Sequence, residues 1–176
     1  MWKKLILGVA LLGLAAPATA ADFLREGRSF GGGQIAPLTL SEDGASDAEP
    51  SALIGRVGTF VGNQLAVEGR FGVGFDDDTV DGVDVEIDRL VGVYGSGHIP
   101  MGGTSSLYAV LGYSDVKASF SGPDGSTTDS ESGFSYGFGA DIGITRAIAL
   151  NVEFMRYIDR SDVDVEALAV GLHYRF

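Results

Sequence analysis

Large apolar side chains alternate with small or polar ones over the last nine residues, Leu168-Ala169-Val170-Gly171-Leu172-His173-Tyr174-Arg175-Phe176. In an extended chain, successive side chains point to opposite faces. Leu168, Val170, Leu172, Tyr174 and Phe176 then share one face, and Ala169, Gly171, His173 and Arg175 the other. An apolar face ending in aromatics suits lipid, and a small and charged face suits a crowded lumen. The pattern predicts the closing strand of a transmembrane β-barrel. The last strand of a soluble sheet would alternate in the same way, so the choice rests on the remainder of the chain.

Reading backward from Phe176 places strands at 163–176, 146–159, 129–143, 104–119, 83–97, 64–76, 51–61 and 28–40. Eight is an even number, as a single-chain bacterial barrel requires. Each segment reaches the roughly 9–11 residues that a tilted strand needs to cross the hydrocarbon. In 64–76, Leu65, Val67, Phe71, Val73 and Phe75 are expected to face lipid, and Glu68, Arg70, Gly72 and Gly74 the lumen. In 146–159, Ile148, Leu150, Val152, Phe154 and Ile158 point out, and Asn151, Glu153, Met155 and Tyr157 point in. Arg156 falls on the outward set, where it could snorkel to head groups at the outer rim. The stretch 104–119 is apolar on both faces and has no readable orientation. The segment 28–40 is the least patterned, with Gly31-Gly32-Gly33 and a Pro37 that suits a paired strand poorly.

The connections alternate in length. Those at 61–63, 98–103 and 143–146 are short; those at 41–50, 76–83, 120–128 and 159–163 are mostly longer and rich in Asp, Ser, Gly and Pro. Short turns belong to the periplasm and longer loops to the exterior. Acids gather on the exterior side: Glu42, Asp43, Asp47 and Glu49, then Asp76, Asp77, Asp78 and Asp81, then Asp124, then Asp159 and Asp162. The short turns carry none. Lipopolysaccharide is anionic and held by divalent cations, so these carboxylates are expected to join that layer through shared Mg²⁺ or Ca²⁺.

The N-terminus explains how such a chain leaves the cytoplasm. Met1-Trp2-Lys3-Lys4 is basic, Leu5 to Leu14 is a short apolar core, and Ala18-Thr19-Ala20 is a small-residue cleavage site. Residues 1–20 read as a secretory signal peptide and 21–176 as the barrel domain. The apolar run is too short for a membrane-spanning helix. The chain has no Cys, which excludes disulfides, thiol chemistry and a lipid-anchored N-terminal cysteine. With the closing strand at the end of the chain, no further domain is expected.

Composition points the same way. The 27 glycines recur inside apolar stretches, where they would weaken a helix. No long segment of period 3.6 appears, and strand patterns punctuated by turns argue for an all-β fold. Without Lys3 and Lys4, the 12 basic residues become 10 against 24 acidic ones, a formal charge of −14. Nucleic acid is therefore not an expected partner.

Candidate chemistry is sparse. Asp77-Asp78-Thr79-Val80-Asp81-Gly82 with Asp88 partly mimics a calcium loop. Thr79 is a poor ligand and the flanks read as strands, so the stretch reads as a solvated acidic hairpin. Gly137-Phe138-Gly139-Ala140-Asp141-Ile142-Gly143 lacks the spacing and the helix of a dinucleotide site. Glycines there are read as room for bulky lumenal neighbours. His98, placed in a periplasmic turn, and His173, facing the lumen near the same end, are the only histidines. Neither is placed for zinc binding or for a Ser-His hydrolase. No enzyme, cofactor or metal site is expected. If the strands pair in order, the inward Arg56, Glu68, Arg70, Asn151 and Glu153 share a depth. Buried charges cost several kcal/mol unless paired, so these residues are expected to form one lumenal hydrogen-bonded network.

Ser132-Gly133-Phe134-Ser135-Tyr136-Gly137-Phe138-Gly139, the strand with Ala149-Leu150-Asn151-Val152, Asp162-Val163-Asp164-Val165 and the ending Val170 to Phe176 resemble the last three strands of Ail/OmpX-type outer-membrane barrels. They also resemble the broader porin-like opacity-protein family. The similarity is best over 104–176. It implies an eight-stranded antiparallel up-and-down transmembrane β-barrel in the outer membrane of a Gram-negative cell. It also implies insertion by the barrel-assembly machinery with periplasmic chaperones, and surface roles such as adhesion to a host or cell-surface ligand. Leu168, Val170, Leu172, Tyr174 and Phe176 resemble the C-terminal assembly signal of such barrels. The chain departs from Ail/OmpX-type members in its acidic loops. The expected role is structural or interactive, with outer-membrane lipid and lipopolysaccharide as partners; the alternative is a narrow channel for ions or small solutes.

Overall fold

The computed structural model describes residues 22–42, 49–80, 83–122, 125–159 and 163–176. The expected signal peptide and Asp43, Asp47, Asp81, Asp124 and Asp162 lie outside the described residues. A short 3₁₀ turn, Asp22–Leu24, precedes the strands β1 (Ser29–Glu42), β2 (Ser51–Gly62), β3 (Leu65–Asp76), β4 (Asp78–Val80), β5 (Val83–Gly102), β6 (Ser105–Gly122), β7 (Gly125–Gly143), β8 (Ile148–Asp159) and β9 (Val163–Arg175). All pairings are antiparallel. Sequential neighbours pair except β3 and β4, β1 pairs with β9, and β3 pairs with β5, so eight long strands close into a ring and leave no open edge. The three-residue β4 only extends the ladder on β5 above the end of β3. The protein is an eight-stranded up-and-down β-barrel.

Period two sorts the side chains as the sequence predicts in β3 and β9. Leu65, Val67, Phe71, Val73 and Phe75 are exposed on the outer face, while Glu68 and Arg70 are buried. Leu168, Val170, Leu172, Tyr174 and Phe176 are likewise exposed, and Ala169 and His173 are buried. The unreadable strand resolves itself: Tyr108, Val110 and Ser114 of β6 face in, and Leu107, Leu111 and Tyr113 face out. Pro37 sits within β1, where the β1–β9 register breaks off after Ile35↔Val170 and resumes at Leu38↔Ala167. The β1–β9 ladder skips Ala36 and Pro37, the latter with no amide hydrogen to give, while Pro37 keeps its register with Ser51 of β2.

Three expectations are corrected. Ile158 is fully buried, not lipid-facing. A bulge between Arg156↔Glu166 and Ile158↔Val165 inserts an extra residue, so Tyr157 and Ile158 both turn inward. His98 is not in a turn: β5 continues to Gly102 and turns His98 into the barrel, stacked on Tyr108 at 5.0 Å. The stretch 120–128 is mostly strand, since β6 and β7 stay paired out to Gly122↔Gly125. Arg156 faces outward, as its parity predicts, and pairs with Glu166, its cross-strand partner.

The short-turn end is plugged. Leu24 and Phe23 pack with Phe30, Phe60 and Ala66. The Gln64 amide donates to the Leu24 carbonyl at 2.8 Å, and Gly27 N donates to Phe60 O at 2.8 Å. Gln64 occupies the left-handed region (φ 68°) in the tight turn between β2 and β3.

Candidate functional site

The barrel interior is filled at mid-height by charge. β2 contributes Arg56, β3 contributes Glu68 and Arg70, and β8 contributes Asn151 and Glu153. Arg56 and Arg70 are direct cross-strand partners, an arrangement that is repulsive on its own. Carboxylates resolve it from two sides. Glu68, two residues before Arg70 on the same face, accepts Arg56 Nη2 at 2.5 Å and Arg70 Nε at 2.9 Å. From the opposite wall, Glu153 accepts Arg70 Nη1 at 2.5 Å and Nη2 at 2.8 Å in a bidentate pair. It also accepts Arg56 Nη1 at 3.2 Å. Two cations and two anions therefore sit together with no exposure of any of the four side chains.

Tyrosines complete the shell. Tyr108 donates to Glu153 Oε2 at 2.8 Å, and Arg70 lies 4.6 Å over the Tyr94 ring. Tyr157 stands 3.5 Å from Arg70 Nη1. Asn151 links the cluster to the short-turn end: its Nδ2 donates to Tyr108 OH and to Asp141 Oδ1, each at 2.8 Å, and its Oδ1 accepts Gln34 Nε2 at 2.5 Å. Asp141 in turn meets His173 Nδ1 at 3.1 Å. A polar chain thus runs from mid-barrel to the end where the turns are short.

All five residues expected in the lumenal network lie in this one connected arrangement. Sequence reasoning missed Tyr94, Tyr108, Gln34, Asp141 and His173 as members. Asp141 shares the parity of Gly137 and Gly139, whose inward setting was readable, so a signal for it existed. Tyr108 had none, because both faces of its strand are apolar.

The other expected residues are placed differently. Asp76 ends β3 and Asp78 begins β4; Asp76 and Asp77 are exposed, and Asp78 Oδ2 accepts the Glu49 amide at 2.8 Å. Phe176 is anchored to β1 by paired bonds with Ser29 at 2.9 and 3.0 Å. Its ring stacks against Tyr174 on the outer face, centroids 6.1 Å apart. Among the described residues, no group of three or more His, Cys, Asp or Glu could hold a metal ion.

A filled interior, a closed ring and an apolar outer surface are what a small barrel needs in a bilayer. The comparisons agree. The family model described as "Outer membrane protein beta-barrel domain" matches residues 6–176. No curated protein matches the chain. Among solved structures, the chain is similar to Ail, the attachment invasion locus protein of Yersinia pestis, at 22% identity and TM-score 0.67, covering 86% of this chain and 99% of that one. Neisserial surface protein A is similar at 15% identity and TM-score 0.72, covering 86% and 100%. OprG of Pseudomonas aeruginosa is similar at 16% identity and TM-score 0.58, covering 86% and 97%. At these identities the likeness speaks for the fold, and the family match carries the assignment. The chain belongs to the outer membrane protein β-barrel domain family and is an eight-stranded barrel of the outer membrane.

Proposed function

We propose that the protein is a structural or surface-interaction component of the outer membrane, with a lumen closed to ions and an acidic outer rim. The observation that carries this reading is the Arg56–Glu68–Arg70–Glu153 cluster, which spans the interior with no side-chain exposure. An ion passing through would have to separate buried pairs, at a cost of several kcal/mol. Eight strands leave an interior that side chains just fill.

The rim indicates what the outside can meet. Ail of Yersinia pestis has been crystallised with a heparin analogue, sucrose octasulfate. The loop acids of this chain oppose such a polyanion. They favour lipopolysaccharide bridged by Mg²⁺ or Ca²⁺, or a cationic patch on another cell. Export by the cleavable leader 1–20, passage with periplasmic chaperones and insertion by the barrel-assembly machinery belong to the same proposal.

Planar-bilayer recording tests it. The purified, folded barrel should give no steady unitary conductance, and Glu153→Ala should introduce irregular openings. Reproducible, discrete openings of the unmodified protein would overturn the closed-lumen reading and make it a narrow channel.

A further inference from the structure

Three arginines converge on one pocket at the short-turn end. Arg28 precedes β1, Arg146 lies in the turn between β7 and β8, and Arg175 ends β9. With Phe23, Ala147 and Phe176 they line a pocket of about 200 Å³. Arg28 and Arg146 are exposed, and neither makes an ion pair with a described residue. Of the nearby acids, Asp22 is held by Arg25 at 2.9 Å. No acidic side chain is among the lining residues. The lining side chains carry three guanidinium groups and no carboxylate.

Arg175 forms a fixed wall of the pocket. Its side chain is only 9% exposed and is fixed in place. It lies 4.3 Å over the Phe23 ring, and Nη1 donates to Thr104 O at 2.7 Å. Its Nη2 is buried and makes no hydrogen bond, but it is ion-paired with Asp141 Oδ2 at 3.7 Å. A rigid guanidinium, held on its lumenal side by Asp141, walls a pocket whose two other cations are exposed. Such a site calls for an anion with several acceptor oxygens.

The surroundings identify the source of that anion. Phe176 is 60% exposed on the lipid-facing side, so the pocket lies at the lipid boundary and has aromatic walls. The short turns place it on the periplasmic side, where the leaflet is built of phospholipid. Basic pockets at that level attract anionic head groups. We propose that Arg28 and Arg146, beside the wall fixed by Arg175, bind the phosphate of an anionic phospholipid head group in the periplasmic leaflet. The acidic outer rim and this basic inner rim would then each face the chemistry of their own leaflet.

The test uses the full-length mature barrel in detergent micelles, with phosphatidylglycerol or phosphatidylcholine of matched acyl chains added and retained lipid counted by native mass spectrometry. The unmodified protein should keep one phosphatidylglycerol in preference to phosphatidylcholine. The double variant Arg28→Gln/Arg146→Gln should bind it about tenfold more weakly, as expected for losing two exposed charge pairs. Arg89→Gln, an exposed arginine near the opposite rim, should leave retention unchanged. Heat-modified gel mobility verifies folding, and the two single variants carry the comparison if the double variant does not fold. Equal retention of the two lipids, or unchanged retention in the Arg28/Arg146 variants, would overturn the proposal. Inorganic phosphate bound at the arginines without retained phosphatidylglycerol would make this a free-phosphate site and overturn the lipid assignment.

Discussion

Arg70 on β3 reaches across the lumen to Glu153 on β8 and meets both of its carboxylate oxygens, at 2.5 and 2.8 Å. The ring order puts β3 and β8 four strands apart in either direction. This one contact therefore ties diametrically opposed walls, which no backbone ladder joins. Glu68 performs the local half of the same task, separating two arginines on adjacent strands.

Removing Glu153 would leave Arg56 and Arg70 with one carboxylate between them in a site without water access. Glu153→Ala should lower barrel stability by about 3–5 kcal/mol, the cost of an uncompensated buried charge. Asp129→Ala, an exposed acid on the outer extension of β7, should change it by no more than about 0.5 kcal/mol. Urea titration followed by heat-modified gel mobility measures both, and coincident midpoints would refute the cross-lumen role.

Tyr108→Phe probes the edge of the same cluster. The variant loses the donor to Glu153 and the acceptor for Asn151, while both ion pairs of Glu153 remain. A loss of about 1–1.5 kcal/mol is expected, the usual worth of a buried hydrogen bond. A loss as large as that of Glu153→Ala would show that the tyrosine, not the ion pairing, organises the site.

Two glycines in the same half of the barrel should answer an added methyl in opposite ways. At Gly171 of β9, a Cβ would overlap the Gly33 carbonyl oxygen and crowd Gln34 Cα at 2.7 Å. These are backbone atoms of the strand that closes the ring, so Gly171→Ala should destabilise by about 1–3 kcal/mol. At Gly69 of β3 nothing lies within 4 Å of the position. Gly69→Ala should be neutral or stabilise by up to about 1 kcal/mol through the unfolded chain. Equal effects in thermal melts would contradict the tight β1–β9 seam.

What could be read from residues alone followed the contrast between the two faces of each strand. In β3 and β9 that contrast is strong, and every side was predictable. Strand order then fixed the common depth of Arg56, Glu68, Arg70, Asn151 and Glu153. In β6, Leu107 to Leu111 is apolar on both faces, so Tyr108 and its hydroxyl stayed hidden. The bulge that buries Ile158 leaves no mark in a period-two pattern. His98 was misplaced because Gly95, Gly97 and Pro100 look like a turn, whereas the ladder runs on to Gly102. The Ser, Gly and Asp of 120–128 look like a loop because an extension of paired strand into water needs no apolar face.

The last residue separates assembly from stability. Phe176 closes the β1–β9 seam through two backbone bonds with Ser29, but its ring is 60% exposed and faces lipid. Its side chain therefore adds little to the packed interior, and Phe176→Ala should cost the refolded barrel no more than the transfer of the ring from water into lipid, about 1.5–3 kcal/mol. If the face Leu168, Val170, Leu172, Tyr174 and Phe176 is an assembly signal, its effect is on rate. Deleting Phe176 should slow insertion and leave precursor in the periplasm, and Phe176→Ala should do so to a lesser degree while refolding normally in vitro. Pulse-chase fractionation of outer membrane and periplasm measures the first property, and urea titration of the purified protein the second. Outer-membrane levels of the deletion equal to those of the unmodified chain would remove the aromatic terminus from the assembly signal.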